Sequence, residues 1–426
     1  MIGSRKGYVS LVNSFKVVLV ICCLVALALP CTALVQAQNE EAVDLQKRPQ
    51  SGLELSNVSS SSELLRRGLD EMNRQYYESA TKDFREVLKR EPENLVARNN
   101  LAVALKKQGQ LEEALVEYRK VIEVSPNRAE LHNNLACAYM AKGDFPSAME
   151  ALYQAIHLRP DFFSARYNLA HLLFMSNNYE AAIEQYQEAL RLDPKSSITH
   201  RDFGDALKAA GHNKQAIIEY MAAEKLGDNS VVLLVKIGRA EKDAGELLQA
   251  RQTLKKAQER EPKNTEVLNL AGLVCWKEKN LQEAIRLFEK ALDVDPKYPQ
   301  ARNNLGIVLY HLHRYDEAVS VWRQALVIKP DYAEVHFNMG AALFRAGLYK
   351  QAAEAYSESL RYHSEDALAH NYRGLALSKL GDHKGAVAEW RKALQIDPEL
   401  GAAHVNLGRQ LMKERPAVQD DIHESG

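Results

Sequence analysis

A proline that recurs every 34 residues is the feature of this sequence that most limits its fold. The interval or a multiple of it separates eight prolines: Pro92, Pro126, Pro160, Pro194, Pro262, Pro296, Pro330 and Pro398. Proline ends a helix because it has no N–H to donate and its ring clashes with the preceding turn. A fixed period of this length indicates a repeated supersecondary unit.

Three more positions keep this period when the first unit starts at Ser61, which gives ten units over residues 61–400. Position 8 of each unit is Gly or Ala, position 20 is always Ala, and position 24 is always large. Since helix formers dominate, each unit is predicted to be two helices of about 14 residues. The small position 8 then faces the Ala, and position 24 fills the space toward the next unit. Each pair leaves an apolar face that only a neighbouring pair can cover, so the chain is predicted to be an all-α solenoid.

These columns resemble the tetratricopeptide repeat (TPR) family over residues 61–400. The resemblance implies a right-handed superhelical solenoid of about ten helix-turn-helix repeats, with first helices lining a concave groove and second helices forming the convex face. Within the family, the chain resembles the TPR superhelix of O-linked N-acetylglucosamine transferase, without the catalytic domain of that enzyme. Residues 401–414 repeat the first helix once more and are predicted to be a capping helix, followed by a disordered tail at 415–426.

The first 37 residues predict export. Basic residues, an uncharged apolar run and the small-residue site Val35-Gln36-Ala37 are typical of a secretory signal peptide cleaved after Ala37. Alternatively, the charge-free stretch 17–35 is just long enough to stay as a membrane anchor, which would then be the chain's one membrane contact. Both alternatives place the repeats outside the cytoplasm, whether periplasmic, secreted or membrane-anchored. Residues 38–60 are predicted to be a flexible polar linker.

Asparagine recurs at position 6, which the family geometry points into the groove. Because Asn is a mediocre helix former, its recurrence at one helical position needs an explanation. A carboxamide both donates and accepts, so a row of them can hold the backbone of an extended peptide, as the resemblance to the transferase superhelix implies. The alternative is that these amides tie adjacent helices together or face water. The candidates are Asn100, Asn134, Asn168, Asn304, Asn338 and Asn406.

Aromatic residues at position 12 and basic residues of the predicted groove are the other binding candidates. The aromatic candidates are Phe174, Trp276, Tyr310 and Phe344. They either belong to the core or anchor apolar side chains of a ligand. The predicted groove positions carry thirteen basic and six acidic residues, although the whole chain has a net charge of −1.

The basic excess predicts a ligand with net acidic character, because a concave wall of one sign concentrates the field. Solvated cations with no partner are the alternative. The basic candidates are Lys208, Lys236, Arg239 and Lys277. The near-zero net charge of the chain argues against nucleic acid as the ligand.

No motif in the sequence points to catalysis. Metalloprotease, hydrolase and phosphate-binding motifs are all missing, and Cys137 and Cys275 have no metal-ligand spacing. Histidine recurs at position 4, which predicts a packing column, and His311 and His313 are predicted to lie on different faces of a helix. The prediction is a non-enzymatic scaffold with no cofactor or metal, which binds extended polypeptide segments. The alternative is an accessory subunit of an envelope enzyme or assembly machine (glycosylation, pilus or outer-membrane assembly) that acts through the convex face.

Overall fold

The computed structural model describes residues 60–414. The predicted signal peptide or anchor (1–37), the linker up to residue 59 and the tail (415–426) lie outside the described residues. The described helices are α1 (Ser61–Asn73), α2 (Tyr77–Arg90), α3 (Leu95–Lys107), α4 (Leu111–Val124), α5 (Ala129–Lys142), α6 (Phe145–Leu158), α7 (Phe163–Met175), α8 (Tyr179–Leu192), α9 (Ser197–Ala209), α10 (Asn213–Lys225), α11 (Val231–Ala244), α12 (Leu247–Arg260), α13 (Thr265–Lys277), α14 (Leu281–Val294), α15 (Pro299–His311), α16 (Tyr315–Ile328), α17 (Ala333–Arg345), α18 (Tyr349–Tyr362), α19 (Ala367–Lys379), α20 (His383–Ile396) and α21 (Gly401–Glu414).

The chain divides into two compact units, one ending at Pro194 and the other beginning at Lys195. Within each unit every helix packs against the next, and most first helices also pack against the first helix of the following pair. This arrangement confirms the predicted all-α solenoid of helix pairs. We call the surface that the first helices of a unit share its first-helix face. In the described part of the chain, no helix has both the length and the apolar character needed to cross a membrane.

The core of every pair is built by the two invariant columns of the second helix. All ten Ala residues at position 20 are fully buried, and every large residue at position 24 is at most 2% exposed. The prediction that position 24 fills space toward the next unit describes part of its contacts, since Tyr356 stacks on Tyr372 of the following repeat. The large side chain also packs within its own helix pair. The ring lies directly over position 8 of its own first helix, so a Cβ added to Gly374 would be 2.7 Å from Trp390 Nε1. The ring at position 24 therefore explains why position 8 is small.

The turn between the two helices of each pair places position 15 in the left-handed region. Six repeats have Gly there, with φ between 77° and 88°. The other four have residues with side chains: Gln75, Asn177, Lys279 and His313. A left-handed residue after the last helical turn satisfies carbonyl groups that would otherwise lack donors. The bonds from Gly347 N to Phe344 O and from Leu348 N to Leu343 O, at 3.1 and 2.9 Å, are an example.

The histidine column at position 4 has a polar role that the sequence did not indicate. Four of its side chains, like the Arg residues at the same position, bond to the carbonyl oxygen six residues earlier, usually that of the proline that recurs every 34 residues. His132 Nε2 lies 2.8 Å from Pro126 O, and His336 Nε2 lies 3.0 Å from Pro330 O. Because these carbonyls accept, the histidines donate from Nε2. A hydrogen bond, rather than apolar packing alone, accounts for this column.

Candidate functional site

The asparagines of position 6 tie consecutive first helices together. In four cases the Nδ2 group donates to the Oδ1 atom of the position 5 Asn in the preceding repeat, at 2.8 to 3.1 Å. These bonds are Asn168 to Asn133, Asn304 to Asn269, Asn338 to Asn303, and Asn406 to Asn371. Asn100 instead donates to Val96 O at 2.8 Å, and Asn134 is half-buried. Of the two alternatives drawn from the sequence, the tie between helices describes these bonds, and peptide binding stays a prediction.

The accepting asparagines at position 5 are buried and serve the hairpin as well. Asn303 is 3% exposed, and the Trp322 indole donates to both its main-chain oxygen and its Oδ1. The Trp390 indole likewise donates to Asn371 O at 3.1 Å. A buried polar group is costly unless it is bonded, so these asparagines are fixed by the fold. Substituting them to test ligand binding would therefore also disturb the fold.

The position 12 aromatics lie at the boundary between core and surface. Trp276, Tyr310 and Phe344 are half-buried and pack on one side against the core of the second unit. Tyr310 also contacts Tyr315, and Phe344 contacts Tyr349, with ring centroids 5.5 and 5.3 Å apart. Both sequence alternatives therefore describe part of each ring, since one side belongs to the core and the other is accessible to solvent.

Phe174 has the same surroundings in the first unit. Its ring lies 5.8 Å from that of Tyr179, the first residue of the following helix. Asn100, Asn134 and Asn168 belong to the same unit. The remaining candidate residues all belong to the second unit, which therefore holds most of the predicted site.

Three of the four basic candidates are paired with carboxylates on the same face. Lys236 Nζ lies 2.5 Å from Asp205 Oδ2, and Lys208 Nζ lies 3.3 Å from Asp243 Oδ2. The corresponding distance is 2.5 Å from Arg239 to Glu266. An acidic ligand would have to compete with these carboxylates, which are three of the six acidic residues counted in the predicted groove.

Lys277 is held differently. Its Nζ donates to the main-chain oxygen of Lys242 at 3.3 Å, and its burial together with the nearby Lys242 ammonium lowers its pKa. No carboxylate of residues 60–414 lies within 4 Å of its Nζ. Of the four basic candidates, Lys277 is therefore the one that forms no ion pair within the described chain, although the more distant Asp243 carboxylate acts to raise its pKa.

Two residues next to the aromatic candidates complete this region. The His311 ring lies 6.0 Å from Trp276 and 5.7 Å from Tyr310, measured between ring centroids. Desolvation by its surroundings, followed by the charges of Lys279 and His313, lowers the pKa of His311. The nearby Tyr310 hydroxyl raises the pKa of the Arg345 guanidinium. The sequence signal that could have found these two residues is a basic residue directly after the position 12 aromatic in three repeats of the second unit. Within residues 60–414, no group of three or more His, Cys, Asp or Glu residues could hold a metal ion.

Family models match most of the repeat region. Models described as tetratricopeptide repeat match residues 133–197, 235–293 and 337–400, residues 276–325, and residues 84–116. A model described as TPR repeat matches 104–142 and 309–347. The search of curated proteins found no match.

Several solved structures are similar in fold. Yeast Tom70 is 16% identical with a TM-score of 0.44, and the alignment covers 83% of this chain and 88% of that one. For pilF of Pseudomonas aeruginosa the values are 17% and 0.44, covering 51% and 97%. YrrB, described as a TPR protein with an unusual peptide-binding site, is 24% identical with a TM-score of 0.36, covering 44% and 96%.

The family matches and the geometry agree with each other. The matched ranges together extend over 84–197 and 235–400, which is most of the region where the 34-residue columns occur. The helix pairs of both units follow the period of those columns. Arrays of this kind are scaffolds for protein interactions. This chain belongs to the tetratricopeptide repeat family.

Proposed function

We propose that this chain is a non-enzymatic scaffold that binds extended polypeptide segments on its first-helix face, in the cell envelope or secretory space. The observation that carries the proposal is the accessible row of half-buried aromatic rings on successive first helices of the second unit. Rigid rings that are half in the core offer contact area with little loss of side-chain entropy. Cations beside these rings favour a segment with net acidic character.

Photo-crosslinking in living cells tests which face of the protein binds the partner. A photo-reactive amino acid would replace Ile307 or Leu375, which are half-buried at position 9 of α15 and α19. The matched control replaces Val327, which is 83% exposed on α16. We expect crosslinks to a defined segment of a partner from the first-helix positions. Crosslinks from Val327 alone would overturn the proposal.

The proposed location has its own test. Mass spectrometry of the protein recovered from cells should give Gln38 as the first residue if the signal is cleaved after Ala37. An intact N-terminus in the membrane fraction would instead support the anchor formed by residues 17–35. An unprocessed chain in the cytosolic fraction would overturn export altogether.

One observation favours the second candidate, an accessory subunit that acts through the second helices. Several large apolar side chains of these helices are exposed, including Ile218 at 64% and Leu248 at 55%. Neighbouring exposed apolar residues on the surface often mark contacts with other proteins. Replacing Ile218 and Leu248 by Ser should disrupt such a complex and leave peptide binding on the first-helix face unchanged.

A further inference from the structure

Three successive first helices of the second unit end in an aromatic residue followed by a basic one. The pairs are Trp276 and Lys277 on α13, Tyr310 and His311 on α15, and Phe344 and Arg345 on α17. We call these six residues the aromatic–basic strip. The two preceding first helices, α9 and α11, have Lys208 and Lys242 at position 12 instead.

The strip is held in place before any ligand arrives. The His311 ring contacts the rings of both Trp276 and Tyr310, and the Arg345 guanidinium lies near the Tyr310 hydroxyl across the next repeat boundary. The three aromatic rings pack on one side against the buried core. Side chains already fixed in this way lose little freedom on binding.

The charges of the strip differ from those of the helices before it. On α9 and α11 the cations Lys208, Lys236 and Arg239 have carboxylate partners within 4 Å. For Lys277 and Arg345, residues 60–414 provide no such partner. Cations that form no ion pair therefore coincide with the accessible aromatic rings.

We propose that the aromatic–basic strip binds an extended segment of a partner protein in which carboxylates alternate with apolar or aromatic side chains. This inference rests on the proposed function and specifies its ligand. Packed helices lie about 8–10 Å apart, and an extended chain in the polyproline II conformation advances about 3.1 Å per residue with three residues per turn. Successive rings can therefore meet an apolar side chain at about every third residue, with the carboxylates between them facing Lys277 and Arg345. Single-stranded nucleic acid also stacks on aromatic rings, but the chain has a net charge of −1 and the strip has only two permanent cations.

Fluorescence quenching tests the strip directly, because Trp276 is its one tryptophan. The other two tryptophans of the chain, Trp322 and Trp390, are 1% and 2% exposed. The full-length chain would be titrated with a capped peptide of four Glu-Ser-Phe repeats, its Gln-Ser-Phe counterpart, and oligothymidylate. We expect the Glu peptide to bind about tenfold more tightly than the Gln peptide, to weaken with added salt, and to protect Trp276 from acrylamide. Trp276→Phe should remove the change in fluorescence on binding, because only the buried Trp322 and Trp390 remain, and binding measured by calorimetry should persist because phenylalanine keeps an aromatic ring.

Charge variants give the matched comparison. Lys277→Gln with Arg345→Gln should reduce the affinity for the Glu peptide to that of the Gln peptide. The control double variant, Lys290→Gln with Arg323→Gln, removes the same charge from exposed positions of α14 and α16 and should have no effect. Thermal melting would establish that both variants are folded.

The outcomes separate the strip from the proposed function. If the Glu and Gln peptides bind equally, or the control pair weakens binding as much, the inference is overturned. Tighter binding of oligothymidylate than of either peptide also overturns it. Peptide binding that leaves Trp276 quenching unchanged overturns the strip and leaves the proposed function standing. If no peptide binds and the first-helix positions give no crosslinks, the proposed function fails as well.

Discussion

At the scale of single residues, position 15 shows how a repeated backbone conformation is met by different side chains. Lys279 has φ of 65°, where a side chain costs about 1 kcal/mol relative to glycine. Lys279→Gly should therefore stabilise the protein by roughly that amount, as measured by urea unfolding.

The control for this prediction removes the same side chain elsewhere. Lys290 is exposed within α14, so Lys290→Gly should destabilise the protein by about 1 kcal/mol, because glycine is a poor helix former. Opposite signs for the two variants would support the backbone argument. A loss of stability in both would show that the Lys279 side chain contributes more than its backbone conformation costs.

Glu241 is a buried carboxylate at position 11, where most repeats have Leu. It is 6% exposed, and its Oε2 has no hydrogen-bond partner in the described part of the chain. Burial raises the pKa of Glu241 above its ordinary value, against the smaller effect of the nearby Thr253 hydroxyl, which lowers it. The folded state therefore favours the protonated acid, so stability is greatest below the pKa of the unfolded chain and falls as pH rises through the pKa of the folded one.

Replacing Glu241 by Gln or Leu should remove this pH dependence. At neutral pH we expect Glu241→Leu to stabilise the protein by about 1–3 kcal/mol, the cost of an unsatisfied buried polar group. Urea unfolding of both variants and the unchanged protein at pH 5 and at pH 8 checks the sign. An equal gain at both pH values would indicate packing rather than ionisation as the cause.

At the scale of helices, the glycine at position 8 is closely packed in a complete helix pair and has open space beside it in the last helix. A Cβ on Gly374 of α19 would lie 2.7 Å from Trp390 Nε1, whereas around Gly408 of α21 nothing lies within 4 Å. The reason is that in the described chain no second helix follows α21 to place a ring there. Gly374→Ala should destabilise the protein by about 1–3 kcal/mol through overpacking. Gly408→Ala should be neutral or stabilising by up to about 1 kcal/mol, because alanine favours the helix.

Thermal unfolding of the two alanine variants makes this comparison. If Gly408→Ala proved as harmful as Gly374→Ala, a group outside the described residues would have to occupy the space beside Gly408. The pair of variants therefore also reports whether α21 is covered in solution.

For the molecule as a whole, the period of the columns was enough to predict the fold, because every repeat carries the same small, Ala and large positions. Contacts between repeats were not predictable in the same way. Whether an amide such as Asn304 faces a ligand or a neighbour depends on Asn269, 35 residues away. Similarly, Arg373 is unexpected at an apolar position until the structure shows Glu389 Oε1 at 3.1 Å. A count of charges on a face cannot reveal such pairs, since pairing depends on distances between helices.

The contacts of the second unit also predict how the loss of one helix affects the stability of the others. Each helix packs only against near neighbours along the chain, so the stability of a repeat depends on its own contacts and on adjacent interfaces. A variant lacking residues 401–426 loses α21, which packs on α19 and α20. Hydrogen exchange should then become faster in α19 and α20 and stay unchanged in α9 to α12. The control lacks residues 415–426 alone and keeps α21.

Two patterns of exchange would carry different meanings. Faster exchange confined to α19 and α20 fits stability that is passed from neighbour to neighbour, because the lost interface lies only there. An equal loss of protection from α9 through α20 would contradict it, since the second unit would then unfold as one cooperative block. Under the neighbour-limited pattern, the aromatic–basic strip on α13 to α17 would be partly insulated from fraying at the α21 end, so peptide affinity should change less than the exchange rates of α20.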